Sequence, residues 1–385
     1  MTHPDAIVIG AGIVGASCAL SLTNAGLKVL VIDRGSVSSG TTGAGEGNIL
    51  VSDKDPGPEL TLALRSRDLW FEMQEDVGDH FELEAKGGVV VARHDDSELL
   101  KLAAHQREHG VDARPVGANE LHELEPYLDP RFASGVFYPQ DAQCQPMLAA
   151  AHVIRTVIKR GGSFVSHAKV TKIFVEDGKA RGVATSQGDY FAPIIVNATG
   201  TWAGEIAKMA GSHLPIAPRR GFILVTEPTK KYVFHKVYDS DYVANVASSD
   251  ADLQTSTVVE GTRSGTILIG ASRERIGFDG SMNINILRRL AAQATSLFPV
   301  LRDVQLLRAY RGFRPYAPDH LPVVGEDALV KGLWHSAGHE GAGIGLAPGS
   351  AALITDAILG KPSFMDGAAF SPARFSKVEI GRAHV

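Results

Sequence analysis

The first 35 residues contain the feature that most constrains the fold, a glycine-rich turn between a short apolar strand and a helix. Residues 6–9 are apolar, residues 13–24 suit a helix, and residues 29–32 are apolar again. This order predicts a βαβ unit. The G-x-G-x-x-G spacing at the junction between strand and helix is formed by Gly10, Gly12 and Gly15. Glycines at these positions let the backbone approach a pyrophosphate and let the helix lie close to the sheet.

The surroundings of this turn indicate a dinucleotide-binding unit, because a glycine turn alone also serves plain packing. The N-terminus of the predicted helix offers free N–H groups and a partial positive charge to phosphates. Asp33 ends the second strand, where a carboxylate can accept both ribose hydroxyls of an adenosine. Dinucleotide binding is therefore favoured over a purely structural βαβ unit.

A second glycine-rich turn, GHEGAGIGLAP, occupies residues 338–348 and follows a short apolar strand near Leu333. We predict a helix over residues 344–359, with Pro348 in its first turns, where its missing N–H costs least. The donors at this helix start suit the N1–C2=O edge of a flavin, which becomes anionic on reduction. The sequence has no second G-x-G-x-x-G between a strand and a helix. One dinucleotide is expected, and FAD is favoured over NAD.

Composition narrows the class of protein. The 385 residues are 44% apolar, enough for two or three domain-sized units. The formal net charge is −5 and no basic stripe occurs, so we expect no nucleic-acid partner. The two cysteines, Cys18 and Cys144, form no CxxC pair or disulfide framework, which fits a reducing compartment. We expect a cytoplasmic protein, with contact to the inner face of the membrane left open.

With these motifs in view, the chain resembles the FAD-dependent amino-acid oxidase and dehydrogenase family that includes glycine oxidase, sarcosine oxidase and D-amino-acid dehydrogenases. The resemblance covers roughly residues 5–375. It is carried by GAGIVG with Asp33, TTGAGEGN, VNATGTWAGEIAKMAG, LPIAPRRGFILVTEP, RGFRPYAPDHLPVVG and GHEGAG. The GHEGAG turn is most similar to the flavin subunits of heteromeric amino-acid, opine and hydroxyproline dehydrogenases.

The family resemblance implies an α/β fold with an α+β arrangement of two domains. A Rossmann-like FAD domain, residues 1–85, 144–214 and 310–375, would be interrupted by a substrate domain built on an antiparallel sheet, residues 86–143 and 215–309. Residues 376–385 form a tail. The cofactor would be a non-covalent FAD, because this chain has no cysteine near the APD step where covalent-flavin relatives carry one.

The predicted FAD-binding residues lie in the glycine-rich segments and at three places between them. They are Gly10, Gly12, Ile13, Val14, Gly15, Asp33, Arg34, Thr41, Thr42, Ala44, Gly45, Gly47, Asn48, Thr199, Gly200, Trp202, Gly312, Gly338, His339, Glu340, Gly341, Ala342, Gly343 and Ile344.

The chemistry that the resemblance implies is oxidation of a C–N bond by hydride transfer to flavin N5, which gives an imine. Such a reaction needs a clamp for the substrate carboxylate, and the planar fork of arginine suits it. Arg314, in the R-P step of RGFRPYAPD, matches the family's carboxylate-binding arginine. The alternatives are a structural Arg314 paired with Asp319 or a backbone carbonyl, and Arg311 as the clamp.

Three further residues are candidates for the site. Tyr242 loosely matches a family tyrosine that closes over the substrate, with packing as the alternative. His339 and Glu340 flank the ring-binding turn and could contact the flavin edge or a product path, or satisfy local backbone groups. The segment HQREH at 105–109 fits the H-x-x-E-H zinc pattern, but it lies in a highly polar predicted helix. We interpret it as a solvated face and predict no metal site.

Several functions stay open at this stage. The first is a catalytic FAD dehydrogenase acting on an amino acid, secondary amine or opine and passing electrons to other dehydrogenase subunits or a quinone. The alternatives are an oxygen-using amino-acid oxidase, a flavoprotein subunit that serves mainly as scaffold or electron conduit, and an NAD-dependent dehydrogenase. An amino-acid-like substrate is expected, and an oligomer is left open.

Overall fold

The computed structural model describes residues 3–92, 95–240 and 252–375, which form two large sheets, two small ones and eight α-helices. The strands are β1 (Ala6–Ile9), β2 (Val29–Ile32), β3 (Asn48–Ile49), β4 (Gly88–Val91), β5 (Arg114–Gly117), β6 (Ser134–Tyr138), β7 (Ala142–Gln143), β8 (Ser163–Val165), β9 (Val170–Glu176), β10 (Lys179–Thr185), β11 (Gly188–Phe191), β12 (Ile194–Asn197), β13 (Ala217–Thr226), β14 (Lys236–Asp239), β15 (Gln254–Gly261), β16 (Ile267–Arg273), β17 (Leu306–Tyr316), β18 (Val323–Glu326) and β19 (Leu333–Ala337). The helices are α1 (Ile13–Asn24), α2 (Pro58–Val77), α3 (Ser97–Glu108), α4 (Ala118–Leu124), α5 (Pro146–Lys159), α6 (Ala203–Met209), α7 (Ile284–Leu297) and α8 (Gly343–Leu359).

The first large sheet has the strand order β18-β19-β12-β1-β2-β8. All its pairings are parallel except that of β18 with β19. The predicted βαβ unit, β1-α1-β2, has the bounds read from the sequence. The chain leaves β1 for β2 on one side and later places β12 on the other, so the crevice beyond the carboxyl end of β1 is where a doubly wound sheet binds its ligand.

The second large sheet is mainly antiparallel, with the order β17-β13-β16-β15-β14-β4-β6-β5. Its strands come from two separate parts of the chain, β4 to β6 and β13 to β17, and between them the chain returns to the first sheet through β8 and β12. The α/β fold with a Rossmann-like sheet and a largely antiparallel sheet is confirmed. The exact limits of the two domains stay a prediction.

Helix α8 lies in the centre of the core. It packs on α1 and α2, and most of its residues from Ile344 to Thr355 are buried. Among the described residues, Glu340–Leu359 is the one helical stretch with the length and apolar composition of a membrane span, and 56% of its apolar 18-residue window is buried inside the protein. A core helix of a globular fold has the same composition.

Pro348 lies deeper in α8 than the sequence prediction placed it. The helix begins at Gly343, so Pro348 is its sixth residue, and its missing N–H leaves the carbonyl of Ile344 without the usual helical donor. The expectation that the missing N–H of Pro348 costs little is therefore wrong. The indole Nε1 of Trp70, on α2, donates to that carbonyl at 3.0 Å and replaces the lost bond.

Ser66 repairs the next position of the same helix. Its hydroxyl donates to Gly345 O at 2.6 Å and accepts from Gly349 N at 2.9 Å, which are the two groups that would otherwise bond directly in an α-helix. The hydroxyl is thus inserted into the hydrogen-bond ladder of α8. Helix α2 is therefore part of the hydrogen bonding of α8 as well as its packing.

We expect Ser66→Ala to lower the free energy of unfolding by about 1–3 kcal/mol, because it leaves a buried N–H and a buried carbonyl without partners. Urea unfolding of the two proteins measures the change. Thr61→Ala is the matched control, since the Thr61 hydroxyl also bonds to a backbone carbonyl from α2 but is exposed. Equal losses in the two variants would contradict the repair that we assign to Ser66.

Candidate functional site

An elongated cavity of about 400 Å³ runs between the two large sheets. One end is lined by Asp33 and Arg34, after β2, and the other by Arg314 on β17 and the turn before α8. The segment 39–48 forms one side of it. The cavity therefore joins the two glycine-rich turns that the sequence analysis singled out.

The turn after β1 leaves no room for side chains. Gly10 has φ +112°, and a Cβ on it would lie 2.4 Å from the carbonyl oxygen of Ala198. A Cβ on Gly15 would lie 2.0 Å from Gly10 O. Thr42 Oγ1 accepts from Ile13 N at 3.0 Å, so the segment 41–44 is fastened to the start of α1. The start of α1, which carries the partial positive charge of the helix, thus lines the cavity where a pyrophosphate would bind.

Asp33 is fixed at the end of β2 by two backbone donors. Its Oδ2 accepts from Ala11 N at 2.7 Å and its Oδ1 from Gly35 N at 2.8 Å. Beside it, the guanidinium of Arg34 lies 3.7 Å from the centre of the Trp202 ring, a cation–π arrangement. All three side chains line the cavity, so this end offers a carboxylate and a flat face for a ribose and its base.

The other end of the cavity is the turn before α8. His339 is buried, and its Nε2 lies 2.9 Å from Ser350 Oγ. Burial lowers the pKa of His339 to about 4, so its imidazole is neutral in ordinary buffers. Gly341 and Gly343 line the cavity together with the start of α8. A neutral wall with a positive helix end suits a flavin ring that gains negative charge on reduction.

The donor set and the glycine cradle fit an FAD. Gly10 and Gly12 would face its pyrophosphate, Asp33 its ribose, and Gly341 and Gly343 its ring. Thr41 and Thr201 both donate to Phe313 O, at 2.7 and 2.9 Å, and tie the first sheet's loops to β17 across the cavity.

A side cavity of about 250 Å³ adjoins the ring-binding end. Arg314, His339, Glu340 and Gly341 line both cavities and so form their junction. The other lining residues are Asp53, Lys54, Asp55, Pro56, Gly57, Pro58, Glu59, Arg273, His320, Leu321 and Ala342, and six of these eleven have polar side chains. This space lies beside the turn that was predicted to bind the flavin ring.

Arg314 is placed as the clamp hypothesis requires, and one of the alternatives also holds in part. Its Nη1 donates to Ser272 O at 2.7 Å while the side chain lines both cavities. Asp319, the other partner considered for Arg314, accepts from Arg374 Nε at 2.6 Å. Arg311, the other clamp candidate, donates to Gly280 O and lines neither cavity.

Most of the predicted FAD-binding residues line the main cavity. They are Gly10, Gly12, Ile13, Val14, Asp33, Arg34, Thr41, Thr42, Ala44, Gly45, Asn48, Thr199, Gly200, Trp202, Gly312, His339, Glu340, Gly341, Gly343 and Ile344. Ala342 lines the side cavity and not the main one, and neither cavity is lined by Gly15, Gly47 or Gly338. A Cβ on Gly47 would lie 1.8 Å from Cys144 O, so this glycine serves a close backbone contact. Tyr242 lies outside the described residues.

Glu46 lines the main cavity but was missed, although its glycine neighbours were both chosen. It belongs to a buried charge cluster in which Lys236 Nζ lies 2.8 Å from Glu260 Oε2 and 3.5 Å from Glu46 Oε2. Asn48 Nδ2 donates to Glu46 Oε2 at 3.0 Å. The cluster fastens the segment 45–48 to the second sheet. The signal that could have identified Glu46 in the sequence is a charged residue between two glycines of a predicted binding loop.

The HQREH segment, residues 105–109, comprises the last residues of α3 and the residue that follows the helix. His105, Glu108 and His109 are exposed, with ligand atoms within 4.8 Å of one another, and none of them lines either cavity. His109 Nδ1 lies 2.9 Å from His105 O. The interpretation as a solvated face stays a prediction.

We expect acid precipitation to release all of the yellow colour into the supernatant. Cys18 and Cys144 are both buried and line neither cavity, so no thiol is placed to form a thioether with the flavin. Absorbance of the supernatant and pellet at 450 nm measures the outcome. Colour retained in a washed pellet would contradict non-covalent binding.

Comparison with known proteins agrees with this geometry. The sequence model of the DAO family, described as FAD dependent oxidoreductase, matches residues 5–357. The glycine oxidase of Pseudomonas aeruginosa is 29% identical over 95% of this chain and 98% of its own length. The hydrogen cyanide synthase subunit HcnC of the same organism is 26% identical, with 96% of each chain covered. The crystal structure of glycine oxidase from Geobacillus kaustophilus, 23% identical, has a TM-score of 0.88 over 97% of this chain and 99% of its own.

Proposed function

The chain belongs to the DAO family of FAD dependent oxidoreductases, and from this premise we propose that it oxidises the C–N bond of a carboxylate-bearing amine, an amino acid or a secondary amine. Relatives that are glycine oxidases support an amine donor. Bound FAD supplies a two-electron acceptor. The chain itself must hold the substrate's carboxylate and orient its Cα–H.

The observation that carries the proposal is the position of Arg314. Its guanidinium lies at the junction of the FAD cavity and the polar side cavity, and a Cβ on Gly341 would lie 3.6 Å from Arg314 Nε. A carboxylate bound there would sit beside the ring-binding turn, with the rest of the molecule in the side cavity. Fixing the carboxylate would hold the substrate's Cα–H in one orientation relative to the ring-binding turn, as hydride transfer requires.

Anaerobic flavin bleaching tests the proposal. The purified holoprotein is mixed, without oxygen, with glycine, sarcosine, D- and L-amino acids, hydroxyprolines and opines, and with glycolate as a hydroxy acid. We expect loss of the 450 nm band with at least one amine. A chain that holds FAD but is bleached by none of them would support the scaffold or electron-conduit alternative.

The electron acceptor is a second part of the proposal. We infer that the chain acts as a dehydrogenase that delivers electrons to a partner subunit or a quinone. Support comes from relatives that are subunits of larger assemblies, such as the hydrogen cyanide synthase subunit. Reoxidation of the bleached protein by air and by a soluble quinone separates the two acceptors. Rapid reoxidation by air alone would favour the freestanding oxidase.

A further inference from the structure

Two residues with positive backbone φ are in contact at the wall of the side cavity. Among the described residues, Glu340 and His320 are non-glycine residues with positive φ, at +46° and +61°. His320 Nδ1 lies 2.9 Å from Glu340 Oε1. Glycine adopts such a backbone without strain. We infer that the carboxylate and the imidazole at these two positions have a role that glycine could not supply. Strained residues of this kind concentrate at functional sites.

The pair connects the junction of the two cavities with solvent. Glu340 lines both cavities, and its side chain is 11% exposed. His320 lines the side cavity, and its side chain is 22% exposed. On the buried side, Arg219 Nη1 lies 3.2 Å from Glu340 Oε2 and holds this side chain in place. The arrangement is a fixed carboxylate next to an imidazole that reaches water.

The proposed reaction needs such a pair. An amine with a pKa of roughly 10 enters as an ammonium ion at neutral pH, and its nitrogen must lose a proton before the Cα–H bond can break with its electron pair. Imidazole is the side chain whose charge changes between pH 5 and 8. Glu340 Oε1 lies 2.9 Å from His320 Nδ1, where it orients the imidazole ring.

We propose that the Glu340–His320 pair takes the proton from the substrate's ammonium group, with His320 as the acceptor and the side cavity as its way to water. An N–H bond of the ammonium breaks, an N–H bond forms on the imidazole, and the imidazolium later releases the proton to solvent. No electrons are exchanged in this step. The proposal rests on the proposed function, because it assumes an amine held by Arg314.

Other charged groups also line the side cavity around His320. The side cavity also contains Asp53, Lys54, Asp55, Glu59, Arg273 and Arg314, with the neutral His339 at the junction. Asp53 and Glu59 lie 2.6 and 3.7 Å from Lys54 Nζ, and burial raises the pKa of Glu59. On its own segment, the His320 and Tyr316 rings are nearly perpendicular with their centres 5.3 Å apart, and Asp319 is bonded to Arg374. Glu340 is therefore the carboxylate paired with the imidazole.

His320→Gly is the decisive variant, because it removes the imidazole and also relaxes the backbone. With the panel amine that bleaches the wild type fastest, we expect the bleaching rate below pH 8 to fall roughly 10²-fold and the difference to narrow at high pH. Added imidazole should restore part of the lost rate. Acetate binding, followed by the shift of the flavin spectrum, should stay within twofold, and Tm should not fall.

His167→Gly is the matched control, since His167 also has positive φ, at +56°, but is exposed and lines neither cavity. His320→Asn, which tolerates positive φ, is the second variant should the glycine variant fail to hold FAD. Wild-type bleaching with an unchanged pH profile in both His320 variants would overturn the proposal and leave the proposed function standing. A wild type that no amine bleaches would instead remove the proposed function.

Discussion

Replacing Arg314 by leucine should raise the KM of the bleaching amine by roughly 10²–10³-fold, because losing one partner of a buried charge pair costs about 3–4 kcal/mol. FAD should stay bound, since the glycine turns and Asp33 remain in place. Steady-state kinetics and the 450 nm absorbance per mole of protein measure the two quantities. Arg314→Lys keeps the positive charge without the planar fork, so we expect its KM to lie between those of the wild type and Arg314→Leu.

Arg311→Leu is the control for this result. Arg311 lies on the same strand, three residues earlier, but its Nε bonds to Gly280 O and its side chain lines neither cavity. We expect a KM close to that of the wild type. An Arg314 variant with unchanged KM would remove Arg314 from the site, and a large effect of Arg311→Leu alone would move the clamp to that residue.

Replacing Gly10 by alanine should weaken FAD binding and destabilise the fold together. The new Cβ would lie 2.4 Å from Ala198 O at a backbone φ of +112°, so both strain and overlap oppose it. Strain and overlap each cost about 1–3 kcal/mol, and the turn can relieve them only by moving away from β12 and the pyrophosphate. FAD titration of the apoprotein and urea unfolding measure the two effects.

Gly26→Ala separates strain from overlap. Gly26 has φ +92°, but a Cβ there would meet no atom within 4 Å. It should lose the strain contribution alone and keep the FAD affinity of the wild type. Similar losses of affinity in the two variants would show that the turn tolerates a side chain and that the close approach is unimportant.

Local patterns in the sequence were enough to predict the two glycine turns that line the main cavity. The βαβ unit depends on contacts between neighbouring segments, and its strands and helix have the bounds that the apolar pattern indicated. The second glycine turn was also correctly linked to a helix start, at Gly343. In both cases the chemistry lies within one short stretch of chain.

The side cavity could not be predicted in this way. Asp53, Arg273 and His320 come from three distant segments, and none of them belongs to a motif with a fixed spacing. The role of Pro348 was misjudged for a similar reason. Its lost hydrogen bond is replaced by Trp70, from another helix, and no local rule reveals a donor supplied by tertiary packing.

The late position of α8 in the chain has a consequence for biosynthesis. Helix α8 is translated well after α1 and α2, yet it packs against both of them and completes the ring-binding end of the cavity. A nascent chain can form its first βαβ unit early but exposes the apolar faces of α1 and α2 until residues 343–359 have left the ribosome. The ring-binding end of the cavity therefore forms only after these residues have folded.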